Sequence, residues 1–453
     1  MVTFTVCRGK TELVVPARAT PKETKTLSDI DDHPGHRMYI PVVEFFQPRD
    51  TINGQTSSED PAMAIKAALG EVRVYYYPVA GRLRETTGGK LVVDCTGEGI
   101  PFAEADAAAW LDELGTPLVP PYPCVEDLLP DARDIEDVVG KPTIFLQVTR
   151  FRCGGFAIGL QFSHCIADGY GIVQFMKAIA DVARGGEKAP SVTPVWGREQ
   201  LMARSPPCPD YVQQKLLSLL RRDPSGTTPP ASMVCRYFVF GADEVAALRR
   251  RVPEDLGASC TRFELLTAAI WRCRTAAWGG QHGTAGKRAR LSFTANIRRR
   301  WEGIPPGYYG NALVYHVVDV AAGELCERPL AHAVELVREA KKDTTEEHVR
   351  STVDFLAAMR ALAADGGGGK PPLAYDEETF MVSDWTRLGE DGLDFAWAER
   401  VAGGVAKLVV PLSYYGTCRS KDGDELVVVS VLLPGQVMER FEKEMAAVWM
   451  RTN

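Results

Sequence analysis

Apolar residues in this 453-residue chain fall into two kinds of run. Some are short, continuous and bounded by glycine; in others apolar positions recur every three or four residues. The segment Gly155–His164 (GFAIGLQFSH) is of the first kind, which predicts a buried strand. Directly after it, Ile172, Phe175, Met176, Ile179 and Ala183 recur at helical spacing and predict an amphipathic helix, so a turn joins the two. Farther on, Arg262–Trp278 reads as a helix, and Asn311–Val320 and Leu426–Leu433 read as strands. The two kinds of run alternate without an internal repeat, which favours a mixed α/β fold over a solenoid or bundle.

The pattern breaks between Gly185 and Pro230. Pro190, Pro194, Pro206, Pro207, Pro209, Pro224, Pro229 and Pro230 crowd one stretch that holds only a short helical piece near Tyr211–Leu220. Such proline density disfavours regular structure and marks a crossover. The chain is longer than one hydrophobic core usually serves. It is therefore divided into 1–189, a proline-rich crossover at 190–230, and 231–453. Asp365–Pro372 (DGGGGKPP) has the glycines of a phosphate loop but neither their spacing nor a Ser or Thr after the lysine, and reads as a surface loop.

Composition narrows the function. A net charge of −7 without long charged blocks argues against nucleic-acid or anionic-membrane partners. Eleven scattered cysteines show neither a disulfide framework nor zinc-type spacing, as expected of free thiols in a reducing compartment. Met1–Thr20 lacks the apolar core of a signal peptide, and no run of about 18 apolar residues spans a bilayer. These features predict a soluble, cytoplasmic protein. The terminal Arg451-Thr452-Asn453 is not a Ser-Lys-Leu type peroxisomal address.

The sharpest candidate chemistry is His164-Cys165-Ile166-Ala167-Asp168-Gly169, at a strand end before a helix, where side chains project into clefts. Histidine titrates near neutral pH and can take a proton from an attacking hydroxyl or amine. Asp168 either orients the ring through contacts at the turn or pins the backbone by pairing with a distant arginine. The competing reading is a core histidine beside a helix-capping aspartate. Arg298-Arg299-Arg300 is either a solvated face or the source of a buried partner for a carboxylate. Phe380–Gly404 is rich in aromatic and small residues; there, Trp385 and Ser383 are candidate donors to a developing oxyanion, against the commoner fate of core packing.

Together these pieces resemble the BAHD acyltransferase family over nearly the whole chain. H-x-x-x-D-G is intact as His164–Gly169. D-F-G-W-G is altered to Asp394-Phe395-Ala396-Trp397-Ala398, and Tyr308-Tyr309-Gly310-Asn311 lies between them in family order. Leu27-Ser28-Asp29-Ile30-Asp31-Asp32, Val173-Gln174-Phe175-Met176, Pro194-Val195-Trp196 and Trp271-Arg272-Cys273-Arg274 are similar to the benzyl alcohol benzoyltransferase group. The resemblance implies two chloramphenicol-acetyltransferase-like α/β domains of similar size, each a mixed sheet with helices, with a solvent channel between them. It implies acyl-CoA as co-substrate, no permanent cofactor, no metal, no covalent acyl-enzyme, and a monomer.

Residue by residue, it implies that His164 is the base and that Asp168 is structural, turned towards an arginine, with Gly169 completing the turn. Trp385 and Ser383 face the oxyanion. Asp394 is a structural aspartate with Arg298 as its partner, and Thr261 and Arg262 meet the coenzyme's phosphates. The expected reaction joins an aromatic acyl group, benzoyl before hydroxycinnamoyl or acetyl, to a small alcohol. The alternatives are amide formation with an arylalkylamine such as tryptamine, an acyl-CoA binder without turnover, and a carrier-dependent condensation domain, against which Ser163 stands where a second histidine is usual. Alanine at both motif glycines predicts altered local geometry with activity retained. Assay of the purified, folded protein against a broad acceptor panel checks this: turnover of at least one acceptor is expected, and binding of acyl-CoA with no turnover would contradict it.

Overall fold

The structure, a computed structural model, describes residues 3–49, 60–132, 137–185, 189–220, 232–279, 286–364 and 377–450. The glycine-rich run at 365–372 and part of the proline-rich crossover lie outside the described residues.

The expected elements are present. A strand spans Phe156–Ser163 and a helix Gly169–Ala183, with Ile172, Phe175, Met176 and Ile179 buried and Ala183 half-buried at its end. The helix starts where it does because Asp168, in an extended conformation, accepts a hydrogen bond from the Gly171 N–H at 2.9 Å. Asp210–Leu220 and Arg262–Gly279 are helices, and Leu313–Ala321 and Glu425–Pro434 are strands.

The fold is a two-domain mixed α/β architecture whose sheets are continuous. Among the described residues, one 13-stranded sheet runs through both halves. The joint is the strand Tyr39–Pro48. On one side it pairs antiparallel with Phe156–Ser163, Tyr39 opposite Ser163. On the other it pairs antiparallel with Ala398–Val405 from the second half, with an irregularity between Arg400 and Ala402. An ion pair is buried at this joint, Arg400 Nε to Glu44 Oε2 at 2.6 Å, with side-chain exposures of 6% and 0%. Gly403 lies against it, where an added Cβ would fall 1.9 Å from Glu44 Oε2. The backbone can approach the carboxylate there only without a side chain.

Helices Pro61–Tyr75 and Gly169–Ala183 pack together in the first half, and Arg262–Gly279, Leu330–Lys342 and Gly435–Met450 in the second. The first-half core takes in Tyr309, Trp385, Leu393, Phe395 and Ala398 from the second half of the sequence. The halves thus share apolar surface as well as a sheet.

The altered motif Asp394–Ala398 forms the corner leading into Ala398–Val405. Phe395 packs edge-on against Phe46 and Phe156 at 5.1 and 5.6 Å. Asp394 Oδ1 accepts from the Ala396 N–H at 2.8 Å, and Ala396 sits at φ 64°. Alanine here adopts the left-handed conformation, held by the Asp394 hydrogen bond on one side and the anchored Phe395 ring on the other. The cost for an L-residue is about 1–2 kcal/mol, partly offset because alanine leaves the unfolded chain less freedom than glycine does. Ala396→Gly is accordingly expected to raise stability by roughly 0.5–1 kcal/mol, measured by denaturant unfolding. A loss of stability would show that the turn is not strained.

Candidate active site

His164 follows the strand Phe156–Ser163, and both of its backbone groups are tied. Its N–H donates to Met38 O at 2.9 Å, and its carbonyl accepts from Asn311 Nδ2 at 2.7 Å. The first bond comes from the strand-joint region and the second from the other half of the chain. The residue is partly exposed, and Nδ1 is enclosed without a hydrogen-bond partner. Burial holds its pKa below the ordinary histidine value, opposed by its own carbonyl, Asp168, Asn311 and Asp31. The ring is therefore neutral at neutral pH, with a lone pair available for a proton.

Asp168 does not bond to His164. Its carboxylate, 1% exposed, accepts from Arg298 Nη1 at 2.8 Å, Arg298 Nη2 at 2.9 Å, the Gly171 N–H at 2.9 Å and the Ala312 N–H at 3.1 Å. Arg298 also donates to the carbonyls of Tyr308 and Gly310 and lies over the Tyr170 ring at 4.6 Å. Of the two readings of the arginine run, Arg298 is the buried partner of a carboxylate.

That carboxylate is not Asp394, which is a correction to the pairing implied by resemblance. Asp394 lies 3.0 Å from Arg49 and 3.8 Å from Arg184. Arg184 caps the far end of the helix that Asp168 begins. Fifteen residues of helix separate the two ends by roughly 20 Å, so Arg298 cannot reach both carboxylates.

Trp385 and Ser383 lie at the end of the strand Thr379–Asp384. The Trp385 N–H donates to Tyr415 O at 2.9 Å, and the indole packs edge-on against Tyr414 at 6.1 Å. A methyl at Gly169 would come within 3.0 Å of Trp385 Cζ2 and 2.7 Å of Leu388 Cδ1, which places the indole against the histidine turn. Ser383 is two residues earlier, within the strand. Trp385 also lines a cleft with Tyr122, Tyr237, Arg400 and Tyr414. Thr261 and Arg262 are not in contact with this cluster. They open the helix Arg262–Gly279, where Thr261 and Glu264 exchange capping bonds and Arg262 Nη1 lies 2.6 Å from Glu425. Among the described residues no group of three His, Cys, Asp or Glu side chains could hold a metal ion.

Sequence reasoning missed the groups that hold the turn from beneath. Asp31, 0% exposed, accepts from Ser28 Oγ at 2.7 Å, from the Asn311 N–H at 2.9 Å and from Asn311 Nδ2 at 2.8 Å. It also pairs with Arg198 Nε at 2.8 Å. Arg198 in turn donates to Ile166 O at 2.8 Å and stacks on Trp196, Tyr308 and Tyr309. The carbonyls of residues 164 and 166 are thus held by two side chains that both end on Asp31. Three acidic residues between the apolar Leu27 and a strand would have been the signal, since carboxylates there need buried partners. The other omission is His36, whose ring stacks on His164 at 4.2 Å and 8°.

His164 thus lies where the two α/β halves join, with the carboxylates Asp31 and Asp168 occupied by arginines. Residues 2–448 match the model described as the Transferase family. The chain is 44% identical to benzyl alcohol O-benzoyltransferase of Nicotiana tabacum, over 98% of this chain and 93% of that protein. It is 42% identical to spermidine hydroxycinnamoyltransferase 1 of Oryza sativa subsp. japonica, over 93% and 94%. Its fold matches the crystal structure of vinorine synthase with a TM-score of 0.70 at 22% identity, covering 98% of each chain. The chain belongs to the BAHD acyltransferases, enzymes that take the acyl group from acyl-CoA as co-substrate. No helix among the described residues is long and apolar enough to cross a membrane.

Arg298→Ala is expected to lower stability by on the order of 3 kcal/mol, the low end for a broken buried pair because Asp168 keeps two backbone donors. Urea unfolding measures it; a loss below about 1 kcal/mol would mean that the pair contributes little beyond a surface bridge.

Proposed function

We propose that this enzyme joins an aromatic acyl group, benzoyl in preference to hydroxycinnamoyl or acetyl, to the hydroxyl of a small alcohol, with His164 as general base. One observation carries the reading. His164 is fixed through its backbone, the carboxylates that act on it are taken by arginines, and the residue stays partly exposed.

In this scheme Nε2 takes the acceptor's O–H proton as the oxygen attacks the thioester carbon. The tetrahedral oxyanion is met by Trp385 Nε1–H and Ser383 Oγ–H. Collapse breaks the C–S bond, and the departing thiolate recovers the proton from the imidazolium. No covalent acyl-enzyme forms. Asp168 and Arg298 hold the turn, Asp394 the second motif. Thr261 and Arg262 meet the coenzyme's phosphates at the positive end of a long helix, with Arg262 exchanging Glu425 for phosphate. The aromatic lining of the cleft beside Trp385 suits a flat acyl or acceptor group. The proline-rich segment at 190–230 is the crossover between 1–189 and 231–453. The enzyme acts as a monomer in the cytoplasm, without nucleic-acid or membrane partners.

An amine acceptor, giving an amide, is the second reading; a relative at 42% identity named for spermidine favours it. His164→Ala is expected to lose 100-fold to 10,000-fold in rate while still binding acyl-CoA. Because burial lowers the His164 pKa, the acid limb of kcat/KM is expected below the ordinary value of about 6.5. Benzoyl-CoA assayed in parallel with benzyl alcohol and with tryptamine separates ester from amide formation. Neither product forming would overturn the benzoyl assignment, and an unchanged rate in His164→Ala would overturn the base.

A further inference from the structure

We propose that His36 is a positioning residue for the catalytic base: its ring, stacked on that of His164, fixes the plane of the imidazole and covers one of its faces. The inference rests on His164 as base and concerns how that base is held.

The geometry is specific. His36 closes the short 3-10 turn Pro34–His36 and is 6% exposed. Its ring lies 4.2 Å from the His164 ring, nearly parallel at 8°. Nδ1 is 3.0 Å from Ile30 O. A carbonyl only accepts, so Nδ1 carries the hydrogen and Nε2 the lone pair, which accepts from the Tyr315 hydroxyl at 3.3 Å. Both nitrogens are thus engaged, one by the N-terminal segment and one by a strand of the other half, and the ring cannot flip without losing both bonds. His33 packs edge-on against the His36 ring at 5.3 Å, and the Cys165 thiol donates to the His36 carbonyl at 3.2 Å.

The surrounding titratable groups favour a neutral ring. Burial and the neighbouring histidines push the His36 pKa well below the ordinary range, and burial takes that of His33 to about 4. Burial raises the Tyr315 hydroxyl to about 12 and raises the Cys165 thiol. Asp31 and Asp168, the carboxylates that act on His164, are both occupied by arginine. A neutral, immobile ring over one face of His164 removes that face from water without adding charge. This disfavours the imidazolium and leaves Nε2 pointing in one direction.

The test is the pH profile of kcat/KM for His36→Ala, His36→Gln and His36→Phe beside the unaltered enzyme, with folding checked by circular dichroism. Loss of the covering ring in Ala and Gln is expected to move the acid limb up by roughly half a pH unit or more, with kcat falling about ten-fold. Gln retains a donor for Ile30 O, so it serves if Ala fails to fold. Phe keeps a stacked ring, and its limb is expected to stay in place. A purely structural role would lower the active fraction without moving the limb, and that result overturns the inference. So does an equal shift in Phe, which would assign the effect to hydrogen bonding. His164→Ala in parallel separates the two readings. If it keeps its rate, the base and this inference fall together. If it is inactive while the His36 limbs do not move, only this inference falls.

Discussion

Asp31 keeps its carboxylate at zero exposure, and a charge so placed is tolerable only when its lone pairs are met. The partners that meet it define the site. Ser28 closes a local turn, Arg198 arrives from the proline-rich segment, and Asn311 arrives from the second half of the chain. Two of these reach onward to the carbonyls of Ile166 and His164. The histidine turn therefore takes its shape only when three segments, hundreds of residues apart, are docked together. Such a network makes the active conformation cooperative with the global fold.

A second buried carboxylate works alongside the first. Asp168 caps the helix and binds Arg298 through both oxygens, so neither it nor Asp31 is free to charge the imidazole by direct bonding. The arrangement differs from a triad in which an aspartate orients the base by hydrogen bonding to Nδ1. Here orientation comes from the backbone and from a stacked ring. That division suits the proposed thioester chemistry, in which the acyl group is already activated and the base needs only to be neutral and fixed.

Much of this was legible in the sequence. The strand before His164 and the helix after it followed from apolar periodicity, and the histidine's place at their junction followed in turn. The long-range pairs were not legible. The arginine run offered a cation for a buried carboxylate, but only the tertiary contacts show that Arg298 meets Asp168 while Asp394 meets Arg49 and Arg184, a helix away. The alanines of the second motif suggested altered local geometry because glycine's freedom is a local property. The anchored Phe395 ring and the Asp394 bond are tertiary, and they keep Ala396 at positive φ. Asp31 and Asn311 sat inside recognised stretches, yet periodicity cannot show that their side chains meet across 280 positions. His36 had even less of a signal, since a stack of two rings leaves no spacing to read.

The central claim is that His164 Nε2 is the atom at which thioester and acceptor meet. The most direct measurement is a crystal structure of the enzyme with coenzyme A and an unreactive acceptor analogue. The expected result places the thiol and the acceptor's hydroxyl or amine on opposite sides of His164, with the acceptor atom about 3 Å from Nε2 and the turn unmoved. A complex in which the thiol binds far from this ring, or in which packed side chains seal Nε2 from both ligands, would contradict it.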